Sequence, residues 1–489
     1  MKPVRVYTLP KSLPEEDLAT IFAKCARSPE SFDEISKTVT AEGAAQFHEK
    51  YVLGYGHASV AEMAIPNFAF EGVSILASKI LESMPRGAYQ EKSTRAQNFL
   101  FKDDDGSYTA FFVPADLPPE DVAVYKTSMN GLFGAYESMM EKMQSYAANT
   151  LGLTGFSATR RAFDSLRYLL PIGTQTNLGM RMNGRDVALL ISKLLSSDIP
   201  EFVTLGKQLF KQAEEQIPTL VKHTEANDWY KTQEKLATEF GNGYEFNELP
   251  VAIKDRSYAR VIGAALNDTL AIDVVGMAML ANHGTHSMIE MLNYMPNAQS
   301  RFRSMIDSIM AKRGPHDPFP DEFDTVSFLV DMVMDYGAFR DLQRHRNCTQ
   351  FVQKPTTEMG YDVPNDIKDA GLEREFREAI ERGGAAANDM KDHGSSRTAY
   401  LYMIPLAYRN RVIMAMTFRQ AAYMIELRTG PGGHISYRMI CGEVWRELMQ
   451  LMPSITKHVR CHGEIVELIA SLPNDEPPTP PDVQDAVGD

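Results

Sequence analysis

The sequence predicts an α+β fold built as two tandem copies of one domain, and three observations carry that prediction. Its 489 residues suffice for two domains of ordinary size, each with its own core. Two short segments recur in the same order. Ser59-Val60-Ala61-Glu62-Met63 matches Ser287-Met288-Ile289-Glu290-Met291 at an offset of 228 residues, and Leu169-Leu170-Pro171 matches Met403-Ile404-Pro405 at an offset of 234, where Arg185 also falls on Arg419. Finally, apolar residues recur at helical spacing through much of the chain, with one aromatic-rich stretch suited to a strand.

Taken in order, Ser12-Leu13-Pro14-Glu15 has the form of a capping box and predicts a helix whose apolar face is Leu18, Ile21, Phe22 and Cys25. Tyr108 to Val113 suits a short strand. Further helices are expected over about 119–147 and 201–221, the latter with Phe202, Leu205, Leu209 and Ile217 on one stripe. The first copy is placed at 1–221 and the second at 257–472, joined by a polar connection over 222–256. Residues 365–397, punctuated by Gly383-Gly384 and Gly394-Ser395-Ser396, read as a charged surface insertion in the second copy. The acidic, Pro-rich tail, 473–489, is expected to be disordered.

Composition narrows the function classes. Hydrophobic residues make up 44% and charged residues 23%, as in a soluble globular protein. A formal net charge of −14 argues against a general nucleic-acid surface, so a bound phosphate is expected on a small molecule. The start, Met1-Lys2-Pro3-Val4-Arg5, is unlike a signal peptide, and no apolar run is long enough to span a bilayer, which makes the cytoplasm the expected location. Cys25, Cys348, Cys441 and Cys461 lack paired spacing, so neither disulfides nor a metal site is indicated.

Several polar clusters stand out against this background. Gly56-His57-Ala58-Ser59-Val60-Ala61-Glu62 could contact the polar edge of a cofactor, although a lone histidine among small residues also serves as a structural group. Arg344-His345-Arg346, on what reads as a helix, is either a solvated charge run or an anion-binding cluster of guanidinium forks. In Tyr89-Gln90-Glu91-Lys92-Ser93-Thr94-Arg95, the residues Glu91, Ser93 and Arg95 would share one side of an extended segment, and a polar turn is the plain alternative. No Gly-x-Ser-x-Gly elbow surrounds Ser93, which therefore reads as a hydrogen-bonding, polarising group. Gly430-Pro431-Gly432-Gly433-His434 lacks the Lys-Ser/Thr of a phosphate loop and reads as a turn.

Joined end to end, the last two charged motifs resemble the signature of the flavin-dependent thymidylate synthases, in which Arg-His-Arg runs into Ser-Tyr-Asn-Glu-x-Ser-x-Arg. Neither half of this chain has all of it. The first half reads Ser83-Met84-Pro85 in place of Arg-His-Arg, and the second offers Gln350-Phe351-Val352-Gln353-Lys354-Pro355 in place of the loop. Two further positions divide in the same way. Arg167 precedes Pro171, but Leu401 precedes Pro405; Arg428 lies beyond Thr417-Phe418-Arg419, but Leu194 lies beyond Asn183-Gly184-Arg185. His57, by contrast, has Thr285 as its counterpart, with His286 beside it.

The resemblance implies helices packed on a mixed or antiparallel sheet, and an enzyme that reductively methylates dUMP at C5 to dTMP. FAD would be the cofactor, NADPH the reductant and methylenetetrahydrofolate the one-carbon donor. It assigns Gln90, Glu91, Ser93, Arg95, Arg167 and Arg428 to the nucleotide, with Ser93 and Arg428 in catalysis. To the flavin it assigns His57, Ser59, Glu62, Asn183, Arg185, Ser287, Glu290, Arg344, His345, Arg346 and Arg419. The family's four-chain assembly implies a homodimer of this double-length chain, with active sites shared between the copies. Two alternatives stay open at the level of sequence: an FAD enzyme of the same fold acting on another pyrimidine nucleotide or adding another one-carbon group, and a non-catalytic flavin or nucleotide binder.

Overall fold

A computed structural model describes residues 4–241, 256–264, 266–294 and 299–472. These fall into two units, one formed by 4–241 with 354–357 and 363–408, the other by the remaining residues. The elements used below are, through the first copy, α1 (Glu15–Cys25), β1 (Asn67–Ser74), α2 (Ile75–Leu81), β2 (Ala88–Glu91), α3 (Pro119–Asn149), α4 (Phe156–Leu166), β3 (Gln175–Arg181), α5 (Gly184–Leu195), α6 (Pro200–Gln216), α7 (Pro218–Val221) and α8 (Asp228–Gly241). The second copy begins with β4 (Tyr258–Ile262), α9 (Asp268–His283), α10 (Met288–Tyr294), α11 (Gln299–Met310), β5 (Ser327–Asp335), α12 (Tyr336–Leu342) and β6 (Thr349–Val352). It continues with α13 (Glu373–His393), α14 (Ala399–Met403), β7 (Arg409–Thr417), α15 (Phe418–Arg428), α16 (Ile435–Leu451) and α17 (Pro453–Thr456).

Each unit is built on an antiparallel sheet, ordered β1-β3-β2 in the first and β4-β5-β7-β6 in the second. Side-chain alternation fixes which face is buried. Thr176, Leu178 and Met180 of β3 point inward, as do Asn410, Val412, Met414 and Met416 of β7. A one-residue slip would turn these rows out, and each fully buried apolar side chain in them is worth about 1.5–3 kcal/mol.

The duplication is visible in how elements repeat. From β1-α2-β2 to β5-α12-β6 the offset is 261 residues, and from α5 to α15 it is 234. Two capping devices repeat as well. Glu16 on α1 accepts the amides of Thr219 and Leu220 at 2.8 and 3.0 Å and the Thr219 hydroxyl at 2.9 Å, satisfying the first turn of α7. Asp268 on α9 does the same for α17, accepting the Ser454 amide at 2.8 Å and its hydroxyl at 2.6 Å. In the other device the partners have exchanged chemistry. Ser74, the cap of α2, is bound by Glu201 of α6, whereas Asp335, the cap of α12, is bound by Ser436 of α16.

The two Leu-Pro segments pair with one another inside the first unit. Ile172 N–H donates to Ile404 O at 2.9 Å and Gly173 N–H to Tyr402 O at 2.7 Å; reciprocally, Leu406 N–H donates to Leu170 O at 2.9 Å and Ala407 N–H to Tyr168 O at 3.0 Å. Counterpart bonds counterpart in both directions, the pattern of an isologous contact.

Three expectations need correction. The segment 365–397 is no surface excursion. Its helix α13 buries Phe376, Ala379, Ile380, Gly383, Ala387 and Met390 and packs on α3, and the offset falls from 261 to 234 across it, so the second copy is shorter there. The extra length lies earlier, where α11 stands between Glu290 and β5 and the offset rises from 228 to 261. The capping box at Ser12 does not form, because α1 starts only at Glu15 behind Pro14; the reciprocal pattern occurs instead between Ser31 and Glu34. Tyr108 to Val113 makes only isolated bridges, Tyr108 with Lys102 and Phe111 with Thr174. The polar connection 222–256 contains helix α8, its residues 242–255 lie outside the described residues, and so does the tail 473–489.

Candidate functional site

In the first unit, strand β2 delivers the loop that carries Ser93 and Arg95. The chain turns at Thr94, so the three alternating side chains do not share one side. Glu91, nearly buried, is drawn back to α2, where it accepts from the Ser78 hydroxyl at 2.6 Å and from Lys79 Nζ at 3.1 Å. Gln90 is exposed on β2, opposite Gly179. Ser93 Oγ accepts the Arg95 amide at 3.2 Å, a local turn bond that leaves the hydroxyl proton available to another acceptor.

Arg95 is held by a residue that the motif does not contain. Asp164 on α4 takes its Nε and Nη2 at 2.6 and 2.9 Å, and the Nε of buried Arg167 stands 3.9 Å from the same carboxylate. Guanidinium forks gathered at one carboxylate present the donor geometry that suits an anion. Asp164 lies three residues before Arg167, one helical turn away, and that spacing was the legible signal for it.

Two of the expected flavin contacts of the first copy, Glu62 and Arg185, are paired with each other. Glu62 accepts from Arg185 at 2.8 Å and from Arg86 at 2.9 Å, while Arg86 forks onto Asp186 at 2.9 and 2.6 Å. Asn183 caps α5 by accepting the Asp186 amide at 3.0 Å. His57 is exposed beside the rings of Tyr51 and Tyr55, and Ser59 is exposed as well. In the second copy Ser287 and Glu290 form a reciprocal cap at the start of α10, with the Ser287 amide donating to Glu290 at 2.7 Å, so they read as helix-capping residues.

In the second unit, Arg344-His345-Arg346 stands in the turn after α12, not on a helix. The turn separates the three side chains. Arg344 is exposed and makes no hydrogen bond or ion pair with another described residue; His345 is buried; Arg346 is half-buried. His345 Nε2 accepts from Arg428 Nε at 2.8 Å, and Gln420 Nε2 lies 3.3 Å from its Nδ1. A guanidinium only donates, so the ring proton is on Nδ1 and the Gln420 amide must turn its oxygen to it. Burial, reinforced by Arg428 and Arg346, pushes the imidazole down to about 3, leaving it neutral at ordinary pH.

Beside this turn lies a cavity of about 560 Å³, lined among others by Asn347, Arg419, Gln420, Tyr423, Arg313 and Glu426. The Tyr423 ring is 58% exposed and meets His345 edge-on at 5.6 Å. Arg419 is committed to its own chain, donating to Phe319 O at 2.9 Å and to Asp324 at 3.1 Å and pairing with Asp321 at 2.7 Å. Glu426 is matched by the Arg313 fork at 2.8 and 2.6 Å. Sequence reasoning missed Gln420 and Tyr423, which lie on the same helix as Arg428. The turn that bears exposed Arg344 and half-buried Arg346 thus borders a cavity lined by the open Tyr423 ring, and guanidinium donors and an aromatic face are the chemistry that an anionic dinucleotide with a planar ring uses.

Cys348, Cys441 and Cys461 are not activated thiols. Burial pushes Cys348 up, Cys461 up to about 11 and Cys441 well above its ordinary value. Among the described residues there is no cluster able to hold a metal ion, and no helix is long and apolar enough to cross a membrane.

A UPF0159 protein of Chlamydia pneumoniae is 28% identical over 432 residues, covering 84% of this chain and 79% of the relative. One from Thermoplasma acidophilum is 27% identical over 452 residues, 84% and 87% of the two chains. A flavin-dependent thymidylate synthase of Pyrococcus furiosus is 26% identical over 161 residues, 33% of this chain and 56% of that one. The solved flavin-dependent thymidylate synthase of Helicobacter pylori, complexed with FAD and dUMP, aligns with 44% of this chain and 96% of its own at 17% identity, with a TM-score of 0.31. The family model described as thymidylate synthase complementing protein matches residues 8–219 and again 268–454, and the chain accordingly belongs to that family, the flavin-dependent thymidylate synthases, as a tandem member.

Proposed function

We propose that the chain reductively methylates dUMP at C5, at sites whose groups are divided between its two copies. The observation that carries this reading is the complementary loss. The Arg95-Asp164-Arg167 cluster has Thr356 and Leu401 at the corresponding second-copy arginine positions, and the His345-Arg428 pair has buried Met84 and Leu194 in the first. Redundant copies that decayed independently would not often lose opposite halves of one set.

In this reading Arg95 and Arg167 take the nucleotide phosphate, with Asp164 fixing both forks. Ser93 donates its hydroxyl proton to the base, and Arg428 stabilises charge developing on a base carbonyl. Arg344 and Arg346 would hold FAD, whereas Arg419, Ser287 and Glu290 are spent on intrachain bonds and contribute less than the motif suggested. Bound FAD would supply hydride taken from NADPH, and methylenetetrahydrofolate the one-carbon unit. The protein would work in the cytoplasm as a homodimer of double-length chains, with 1–221 and 257–472 as the units of duplication.

The test is anaerobic. Purified protein should be yellow, NADPH should bleach it, and dUMP with methylenetetrahydrofolate should restore the colour and yield dTMP. Protein that neither carries nor takes up FAD sinks the reading; reoxidation by another pyrimidine nucleotide alone transfers it to that substrate.

A further inference from the structure

The loop that carries Arg-His-Arg in the second copy and its first-copy counterpart around Ser83-Met84-Pro85 are each docked on a helix further along the chain, but by different means. In the first copy Asp186 of α5 clamps Arg86 at 2.9 and 2.6 Å; in the second, the same helical position is Gln420 of α15, against His345 at 3.3 Å. Loop docking is thus provided for without the bond from Arg428 Nε to His345 Nε2 at 2.8 Å. That bond belongs to a pair of positions, 345 with 428, that are polar together in the second copy and apolar together, Met84 with Leu194, in the first. Both ring nitrogens of His345 face protein groups and the residue is 3% exposed, which leaves little of it to contact a cofactor.

We propose that His345 is a positioning residue for Arg428, fixing the rotation of its guanidinium through Nε2, and is not itself a flavin ligand. The inference rests on the proposed role of Arg428 at the nucleotide base. An arginine has several soft torsions, and a donor fork serves a developing charge only when its plane is set beforehand. A neutral ring acceptor at Nε is suited to this, because it orients the guanidinium without neutralising its charge. A carboxylate there would cancel it.

The experiment compares His345→Met, which installs the first copy's residue, His345→Gln, whose amide oxygen can replace the Nε2 acceptor, Arg428→Leu, and the double variant His345→Met with Arg428→Leu. Flavin content, kcat and KM for nucleotide-dependent reoxidation are measured on each holoprotein. We expect His345→Met to keep its flavin and its KM while kcat falls on the order of 100-fold, the scale of a displaced catalytic group. His345→Gln should recover most of that loss, and the double variant should be no slower than Arg428→Leu alone. Release of flavin by His345→Met, or losses that multiply in the double variant, would overturn the proposal. A second readout needs no turnover. In arginine-labelled protein the Arg428 Nε–H resonance, identified by its absence in Arg428→Leu, should persist in His345→Gln and shift or broaden in His345→Met. An unchanged resonance in His345→Met refutes the positioning role, whereas a shifted one in protein inactive toward every pyrimidine nucleotide refutes only the assigned reaction.

Discussion

At the residue scale, the groups that the motif names are held by groups that it does not. Asp164→Asn would replace a bidentate charge-assisted contact to Arg95 by a weaker one, at a cost of about 2 kcal/mol in a largely buried setting, read as a lower urea midpoint. The same change should raise the KM for nucleotide several-fold more than it lowers kcat; equal effects on both would remove Asp164 from phosphate recognition. His345 gives a pH prediction. Its folded-state value of about 3 lies below the ordinary histidine value of about 6.5, so the unfolded chain binds the extra proton between those limits. Stability from this group is complete above about pH 6.5 and falls as pH falls toward 3. Wild type should therefore lose more stability than His345→Gln between pH 6.5 and 4.5, and identical losses would show that the ring is not buried as a neutral base. The sequence made Arg95, Arg167, His345 and Arg428 legible because they sit in short motifs. It hid the pairing of Arg95 with Asp164 and of Arg185 with Glu62, since ion-pair partners 69 and 123 residues apart are set by tertiary packing.

At the element scale, helices with wide apolar stripes were legible and narrow ones were not. The stripe Phe202, Leu205, Leu209 predicts α6 directly. Helix α13 escaped because its buried face is made partly of Gly383, Gly384 and alanines between runs of Glu and Arg, which together look like a solvated excursion. Small residues are what that packing needs: a Cβ at Gly383 would lie 2.9 Å from a Leu132 methyl. The capping carboxylates make a paired prediction. Glu16→Gln and Asp268→Asn should each cost about 1–2 kcal/mol by loosening the first turns of α7 and α17, and denaturant midpoints should register both. A neutral result at either would mean that water replaces the carboxylate. Gly173→Ala should cost more than a surface change, because its Cβ would sit 2.8 Å from the Tyr402 carbonyl, which is backbone and cannot swing away.

At the scale of the whole molecule, the reciprocal bonds about Pro171 and Pro405 show counterparts paired as two identical subunits would pair them, now inside one chain. The second copy lends residues 363–408 to the first unit, so a chain cut at 256 loses α13 from the side of α3. The fragment 1–256 would then uncover Leu132 and the face of α3 around it and should be poorly folded when expressed alone, with weak near-ultraviolet circular dichroism. The divided motifs carry the expectation on to function. Neither half alone should turn over, but the two halves co-expressed should. Two inactive full-length variants, Ser93→Ala and Arg428→Ala, then decide where the groups meet. Recovered activity after subunit exchange means that the first copy of one chain completes a site with the second copy of another; no recovery, with exchange verified, means that each chain completes its own. A fragment 1–256 that is folded and fully active by itself would refute the divided site and reduce the second copy to a scaffold.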